Sequence, residues 1–195
     1  MARQTCFHIF ETTAGVAALG WNETGVSALR LPAATAFAAE RALTRRFPAA
    51  HLALPSPPVQ SVVDSVVRYF AGDRVDFADV PVDLGVQEPF FRQVYAFVRT
   101  LGWGETTTYG AVARALGAGP EFARDVGQAM ANNPVPLIVP CHRVMGAGGK
   151  IGGFSAPGGS MSKARMLELE GVVIDPASVA KGAVRADDAQ AGFDF

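Results

Sequence analysis

Residues 132–159, NNPVPLIVPCHRVMGAGGKIGGFSAPGG, set a cysteine between a proline and a histidine, after an apolar run and before a glycine-rich segment. A thiol reacts as its thiolate, and a free cysteine has a pKa near ~8.5. The apolar neighbourhood PLIVP raises that further by desolvation, so a reactive Cys141 needs a base. His142 is adjacent, and no other histidine follows His51. Neighbouring side chains of an extended strand point to opposite faces. The pair can therefore cooperate only through a turn at the cysteine or a bridging water. Pro140, with its fixed φ and missing donor, suits such an irregular backbone. A basic imidazole also needs an acceptor on its second nitrogen. Glu168 and Glu170, in SKARMLELEG, are the nearest carboxylates downstream. The glycines allow close backbone approach to a ligand, but no GKS or GKT follows them as in a phosphate loop. From the residues alone, Cys141 and His142 fit a nucleophile with its base and, about equally, a buried structural thiol beside a satisfied histidine.

The elements that must position this pair can be read along the chain. TCFHIF, GVAALGW and GVSALRL, within residues 5–31, alternate like strands between Gly, Thr and Asn turn signals. TAFAAERALTRRF (35–47) reads as a helix capped by Thr35 and ended before Pro48. VQSVVDSVVRYFAG is helical despite its β-branched residues, because Val62, Val63, Val66, Val67 and Phe70 recur at spacings of three and four. RVDFADVPVDL reads as one more strand. After Gly85 the pattern turns helical. EPFFRQVYAFVRTL starts near Pro89 and carries an apolar stripe of Phe91, Val94, Tyr95, Val98 and Leu101. TYGAVARALG puts Tyr109, Val112, Ala113 and Leu116 on one face, and EFARDVGQAMA turns Phe122, Val126 and Met130 inward. Two short helices about a glycine turn fit a helix-turn-helix, but from the residues alone an ordinary pair in a helical domain is the better fit.

The 195 residues suffice for one large or two small domains. No run of eighteen apolar residues occurs, and the N-terminus lacks a basic region followed by an apolar core. A cytoplasmic protein with no membrane association is expected. A net charge of −1 neither suggests nor excludes nucleic acid, since local distribution outweighs the sum. Two cysteines in such a chain are more often free thiols than a disulfide, and Cys6 reads as a small buried hydrophobe on a strand.

PVPLIVPCHRV resembles the active-site signature of the O6-alkylguanine-DNA alkyltransferases (methylated-DNA–protein-cysteine methyltransferases). The similarity extends back through GETTTYGAVARALG and ARDVGQAMANNP and forward through GGFS to LELEG, over roughly residues 86–171. It implies an α/β chain of three parts. Residues 1–85 would be an RNase H-like domain with a mainly antiparallel sheet. Residues 86–171 would be a mostly helical winged-helix or helix-turn-helix alkyltransferase domain, and residues 172–195 a tail. The partner implied is double-stranded DNA carrying O6-alkylguanine, bound as a monomer through the minor groove with the damaged base flipped out of the stack. The alkyl group of O6-alkylguanine, or of O4-alkylthymine, would move to Cys141 once and stay there as a thioether.

The same resemblance assigns roles. His142 would take the thiol proton through a water, and Glu170 would orient His142. Asn133 would tie the recognition element to the active-site turn. Tyr109 would crowd the adjacent phosphate and promote protonation of the leaving guanine. Arg124 would fill the gap left by the base, with Ala123, Gly127 and Gln128 also at the DNA. Met130, Pro136, Val144, Phe154 and Ser155 would line the pocket. The carbonyls of Cys141 and Val144 would face the guanine amino group, and the amide of Ser155 would face O6. Asp125 departs from what phosphates favour unless it faces away or pairs with Arg124 or Arg114. Cys6, His8 and His51 could supply three metal ligands, but a closed zinc site wants four, so neither metal nor cofactor is expected. Two other readings stay open: a lesion-binding protein that performs no transfer, and a Cys-His hydrolase or acyltransferase with many turnovers on an ester or amide.

Overall fold

The computed structural model describes residues 5–175 and Val179. Most of the proposed tail, 172–195, lies outside the described residues. Three antiparallel strands, β1 (Cys6–Thr12), β2 (Gly15–Trp21) and β3 (Val26–Ala33), follow one another, and the short β4 (His51–Leu52) adds parallel to β1. The resulting order is β3-β2-β1-β4. Helix α1 (Ala36–Thr44) begins where the Thr35 hydroxyl accepts from the Ala38 amide at 3.2 Å, satisfying a donor the helix itself cannot. It packs on one sheet face against Phe7, Ala18 and Ala28.

Helix α2 (Pro57–Phe70) covers the other face. Pro57 and Pro58 open it, where no intrahelical N–H is needed. Its Val62, Val63, Val66 and Phe70 are buried, so tertiary burial overrides the modest helix propensity of valine. Helices α3 (Pro89–Val98), α4 (Tyr109–Ala115), α5 (Ala123–Ala131) and α6 (Gly159–Leu169) complete the chain, with a parallel two-strand pair between β5 (Thr107–Thr108) and β6 (Val144–Met145). The chain is thus α/β, with a mixed rather than purely antiparallel main sheet.

Both halves share one hydrophobic core. Leu19, Leu29, Val66 and Phe70 belong to the same cluster as Val94, Val126, Val135 and Cys141. The Leu29 amide also donates to the Pro134 carbonyl at 3.0 Å, tying β3 to the stretch before the cysteine. Among the described residues no helix is long and apolar enough to cross a membrane.

Two expectations from the sequence fail. RVDFADVPVDL is not a strand: only Val82 bridges to Val26. Pro81 has no amide to donate, Asp76 turns back onto the Ala78 amide at 2.9 Å, and Arg99 Nη2 donates to the carbonyls of Ala78 (2.7 Å) and Val80 (2.8 Å), replacing a partner strand. Phe122 is exposed instead of turned inward, because Pro120–Phe122 form a 3₁₀ turn ahead of α5. Its ring rests on Phe90 at 5.5 Å between centroids.

Candidate active site

The backbone around Cys141 is irregular at three successive points. Leu137, buried, has φ 75°, a left-handed conformation that costs a non-glycine residue energy and persists only where the surroundings enforce it. Pro140 has φ −77° and ψ 67°, and the Cys141 amide donates to the Val139 carbonyl at 2.7 Å, which is an inverse γ-turn. Cys141–Arg143 then form one 3₁₀ turn that runs into β6. Cys141 and His142 therefore leave a tight turn rather than a strand, as Pro140 suggested.

Asn133 holds the stretch together. Its Nδ2 donates to the Val139 carbonyl at 2.8 Å and its Oδ1 accepts from the Val135 amide at 3.0 Å. Asn133→Ala removes both bonds and leaves Val139 and Val135 short of partners. It is expected to lower stability by about 1–3 kcal/mol, read as the denaturant midpoint. An unchanged midpoint would show that other contacts alone enforce the turn.

His142 is fully buried. Its Nε2 lies 2.8 Å from Glu170 Oε1, so the donated proton sits on Nε2, and Nδ1 has no hydrogen-bond partner among the described residues. Glu170 caps the end of α6 and is 4% exposed, whereas Glu168 is exposed on the same helix. Arg143, absent from the sequence reading, grips Glu170 with Nε on Oε2 and Nη2 on Oε1, both at 2.8 Å, and donates Nη1 to the Leu101 carbonyl at 2.6 Å. The Gly104 amide adds a bond to Oε2 at 3.1 Å. Gly104 has φ 73°, and a Cβ there would meet the Glu170 carbonyl at 2.9 Å, so this close approach requires glycine.

Burial alone would raise the Glu170 pKa. The hydrogen bonds from His142 and Arg143, with their charges, outweigh it and hold the carboxyl at about 2. His142 is pushed down, first by burial, against the pull of Glu170. Neutral imidazole beside ionised Glu170 is the result, the protonation state a base needs.

Cys141 is 5% exposed. Burial raises its pKa, opposed by Asn133, the charge of Lys163 and the backbone amides of Cys141 and His142. Lys163 is a second residue the sequence reading did not assign. It is fully buried, and Nζ donates to the Val144 carbonyl at 2.6 Å and to the Tyr109 hydroxyl at 3.5 Å. Burial lowers its pKa to about 8. Among the described residues no carboxylate neutralises it within hydrogen-bond reach, so the site carries a cation suited to a newly formed thiolate. The lysine also occupies a lone pair of the Val144 carbonyl, leaving one for any other donor.

The remaining candidates separate by burial. Met130 and Val144 are buried, while Pro136 and Phe154 are half-buried. Tyr109, first residue of α4, is half-buried, and Gly152 (φ 73°) runs so close that a Cβ there would lie 3.5 Å from the phenol. Ser155 is exposed, its hydroxyl donating to the Ala131 carbonyl at 3.1 Å at the end of α5. Along α5, Arg124 and Gln128 are exposed one turn apart, with Ala123 and Gly127 half-buried. Asp125 is exposed, and among the described residues it makes no ion pair with Arg124 or Arg114.

Away from this site, Cys6 is half-buried rather than buried, with Sγ 3.3 Å from His51 Nε2, and both cysteines are free thiols. A cavity of about 320 Å³ lies behind the turn, lined by Arg74, Arg99, Trp103, Pro140 and Arg143 but not by Cys141.

The chain is similar to several known proteins. A family model described as the DNA binding domain of 6-O-methylguanine DNA methyltransferase matches residues 89–172. A methylated-DNA–protein-cysteine methyltransferase of Metallosphaera sedula is 43% identical over 112 residues, 57% of this chain and 67% of that protein. A DNA base-flipping protein of Thermus thermophilus is 41% identical over 112 residues, 57% of this chain and 73% of that protein. The crystal structure of Mycobacterium tuberculosis OGT in complex with DNA superposes with a TM-score of 0.68 at 30% identity, covering 90% of this chain and 99% of that one.

Proposed function

The chain belongs to the O6-methylguanine-DNA methyltransferase family, and on that premise we propose that it repairs alkylated DNA by moving the alkyl group of an O6-alkylguanine onto Cys141 in one turnover. Its activity is that of a methylated-DNA–protein-cysteine methyltransferase, and DNA is its partner. The observation that carries the assignment to Cys141 is the buried relay beside it. Glu170 and His142 are 2.8 Å apart, and the imidazole nitrogen Nδ1 has no partner among the described residues.

In this reading the thiol proton passes to Nδ1 of His142 through a water, and Glu170 stabilises the imidazolium. The thiolate attacks the alkyl carbon, a new S–C bond forms, and the bond from that carbon to O6 breaks. The electron pair leaves on guanine, which takes a proton with help from the Tyr109 hydroxyl. Lys163, hydrogen-bonded to that hydroxyl, keeps it supplied with positive charge. A thioether is not hydrolysed by acid–base side chains, so the protein acts once.

The finer picture follows the same reading. Residues 1–85 form an RNase H-like domain, residues 86–171 a winged-helix alkyltransferase domain, and residues 172–195 a tail. The protein binds as a monomer in the cytoplasm, and α5 enters the minor groove of the duplex with its exposed Arg124 and Gln128 and half-buried Ala123 and Gly127. Arg124 takes the place of the flipped base. The thiol is nearly covered, so the base reaches it only as the walls formed by Tyr109, Met130, Pro136, Val144, Phe154 and Ser155 give way. Incubation with duplex containing O6-methylguanine is expected to raise the intact mass by one methyl group and no more, with the label on the Cys141 peptide. Repeated turnover of an ester, or lesion binding with no gain in mass, would replace this reading with one of its rivals.

A further inference from the structure

Glu170 accepts five hydrogen bonds. Four come from Gly104, His142 and Arg143. The fifth comes from Tyr69, on α2 in the first half of the chain, whose hydroxyl donates to Oε1 at 3.1 Å. That oxygen is the one His142 uses, and the same hydroxyl lies 3.5 Å from His142 Nε2 and 3.4 Å from the Met166 carbonyl. The phenol is fully buried, with its ring edge-on to Phe70 and to Trp103 at 5.2 and 5.6 Å.

We infer that Tyr69 is a positioning residue for the alkyl transfer: it fixes the Glu170 carboxylate and, by sharing its Oε1, limits how tightly His142 holds a proton. The inference rests on the alkyl-transfer reading of Cys141. Its physical content is a competition for lone pairs. Oε1 receives Tyr69, His142 and one arm of Arg143, so each donor finds less negative charge than it would alone. The groups facing His142 are Glu170 and Lys163 from α6, Arg143 and Cys141 from its own turn, and Tyr69 from α2. Only Glu170 favours the imidazolium strongly, while Arg143 and Lys163 oppose it. Burial and the nearby carboxylate push the Tyr69 pKa well above its ordinary value, so the phenol remains a donor throughout the range in which a histidine titrates. A general base must be neutral before it can take the thiol proton, so His142 is ready over a wider pH range when a resting proton is not held too firmly. Tyr69 supplies that limit from α2, ahead of the residues 89–172 that the family model matches, which makes the first half of the chain part of the relay.

The test is the pH dependence of single-turnover transfer from labelled O6-methylguanine duplex to the full chain. Wild type is compared with Tyr69→Phe and with protein carrying 3-fluorotyrosine at position 69 alone. Losing the hydroxyl is expected to move the histidine-controlled limb up by about one pH unit, the scale of one hydrogen bond to a charged group. The rate below that limb falls about tenfold, with duplex affinity unchanged. Fluorination makes the phenol a stronger donor and moves the limb the opposite way. Limbs that coincide in all three proteins overturn the inference, even if Tyr69→Phe is slower at every pH, because a purely structural prop would act that way. If Tyr69→Phe does not fold, the fluorinated protein, which keeps ring and hydroxyl, decides alone. Titration of His142 by imidazole NMR reads the same two shifts with no substrate, so a wild type that transfers nothing sinks the alkyl-transfer reading while this coupling is still measured.

Discussion

Cys141→Ser abolishes transfer of label from O6-methylguanine duplex, with single-turnover rates reduced by roughly a thousandfold or more, while duplex binding persists. The exchange alters one atom in a site whose shape is set by the turn and not by the sulfur. Asn133 still bonds Val139 and Val135, and His142 still bonds Glu170. What changes is the proton. Burial already raises the thiol pKa, and Asn133, Lys163 and two backbone amides only partly offset that. A hydroxyl starts several units higher still, beyond what a neutral imidazole can draw off. Adding His142→Ala to Cys141→Ser is expected to change little more, because groups that act as one unit are not additive. Cys6→Ser serves as the control: the other thiol sits on β1 against His51 and should be dispensable. Transfer that survives in the serine protein, or that lands on Cys6, would remove Cys141 from the mechanism.

The residues legible from the sequence were those whose signal is local. Pro140 announced an irregular backbone, and the structure has a γ-turn there. The valine spacing of α2 and the stripe of α3 gave helices with their buried faces correctly turned inward, and Thr35 caps α1. The choice between Glu168 and Glu170 was not local. Glu170 is buried because it ends α6 beside Gly104 and Arg143, while Glu168 remains outside. Arg143 stood next to the proposed base in plain view. Charged residues are so seldom buried that its side chain was passed over, and only the bidentate grip on Glu170 shows its place. Lys163 was legible only loosely, because the length of SAPGGSMSK before it leaves its alignment less secure than that of Cys141. Tyr69 belongs to a helix about seventy residues upstream of the cysteine, and no periodicity in α2 separates it from Phe70 beside it. The failed strand at RVDFADVPVDL has the same origin: alternation was present, but Arg99, distant in sequence, took the carbonyls.

Glu170→Gln is expected to damage both chemistry and stability, and the two losses have one cause. Among the described residues Glu170 is the only buried carboxylate, set against the buried cation Arg143 and against His142 when it takes a proton. Glutamine keeps the shape but presents one carbonyl where two oxygens accepted five donors. One of its own N–H groups must also face Arg143 or His142. Arg143 then remains charged, buried and without its counter-ion, at a cost of about 3–5 kcal/mol. For a chain of this size that lowers Tm by roughly 10 °C. The imidazole loses the acceptor that stabilises its charged form and sets its tautomer, and transfer should fall by about a hundredfold or more. The pH dependence distinguishes this account from simple loss of packing. The folded-state pKa of Glu170, about 2, lies below the ordinary carboxylate value. Its contribution is therefore fully present above the unfolded-state value of ~4.3 and is lost as pH falls towards the folded-state value. The stability gap between wild type and Glu170→Gln should be constant through neutral pH and close progressively in acid. A gap that stays open at low pH would mean that the carboxylate stabilises the fold by its shape, not its charge, and the relay would lose its electrostatic basis.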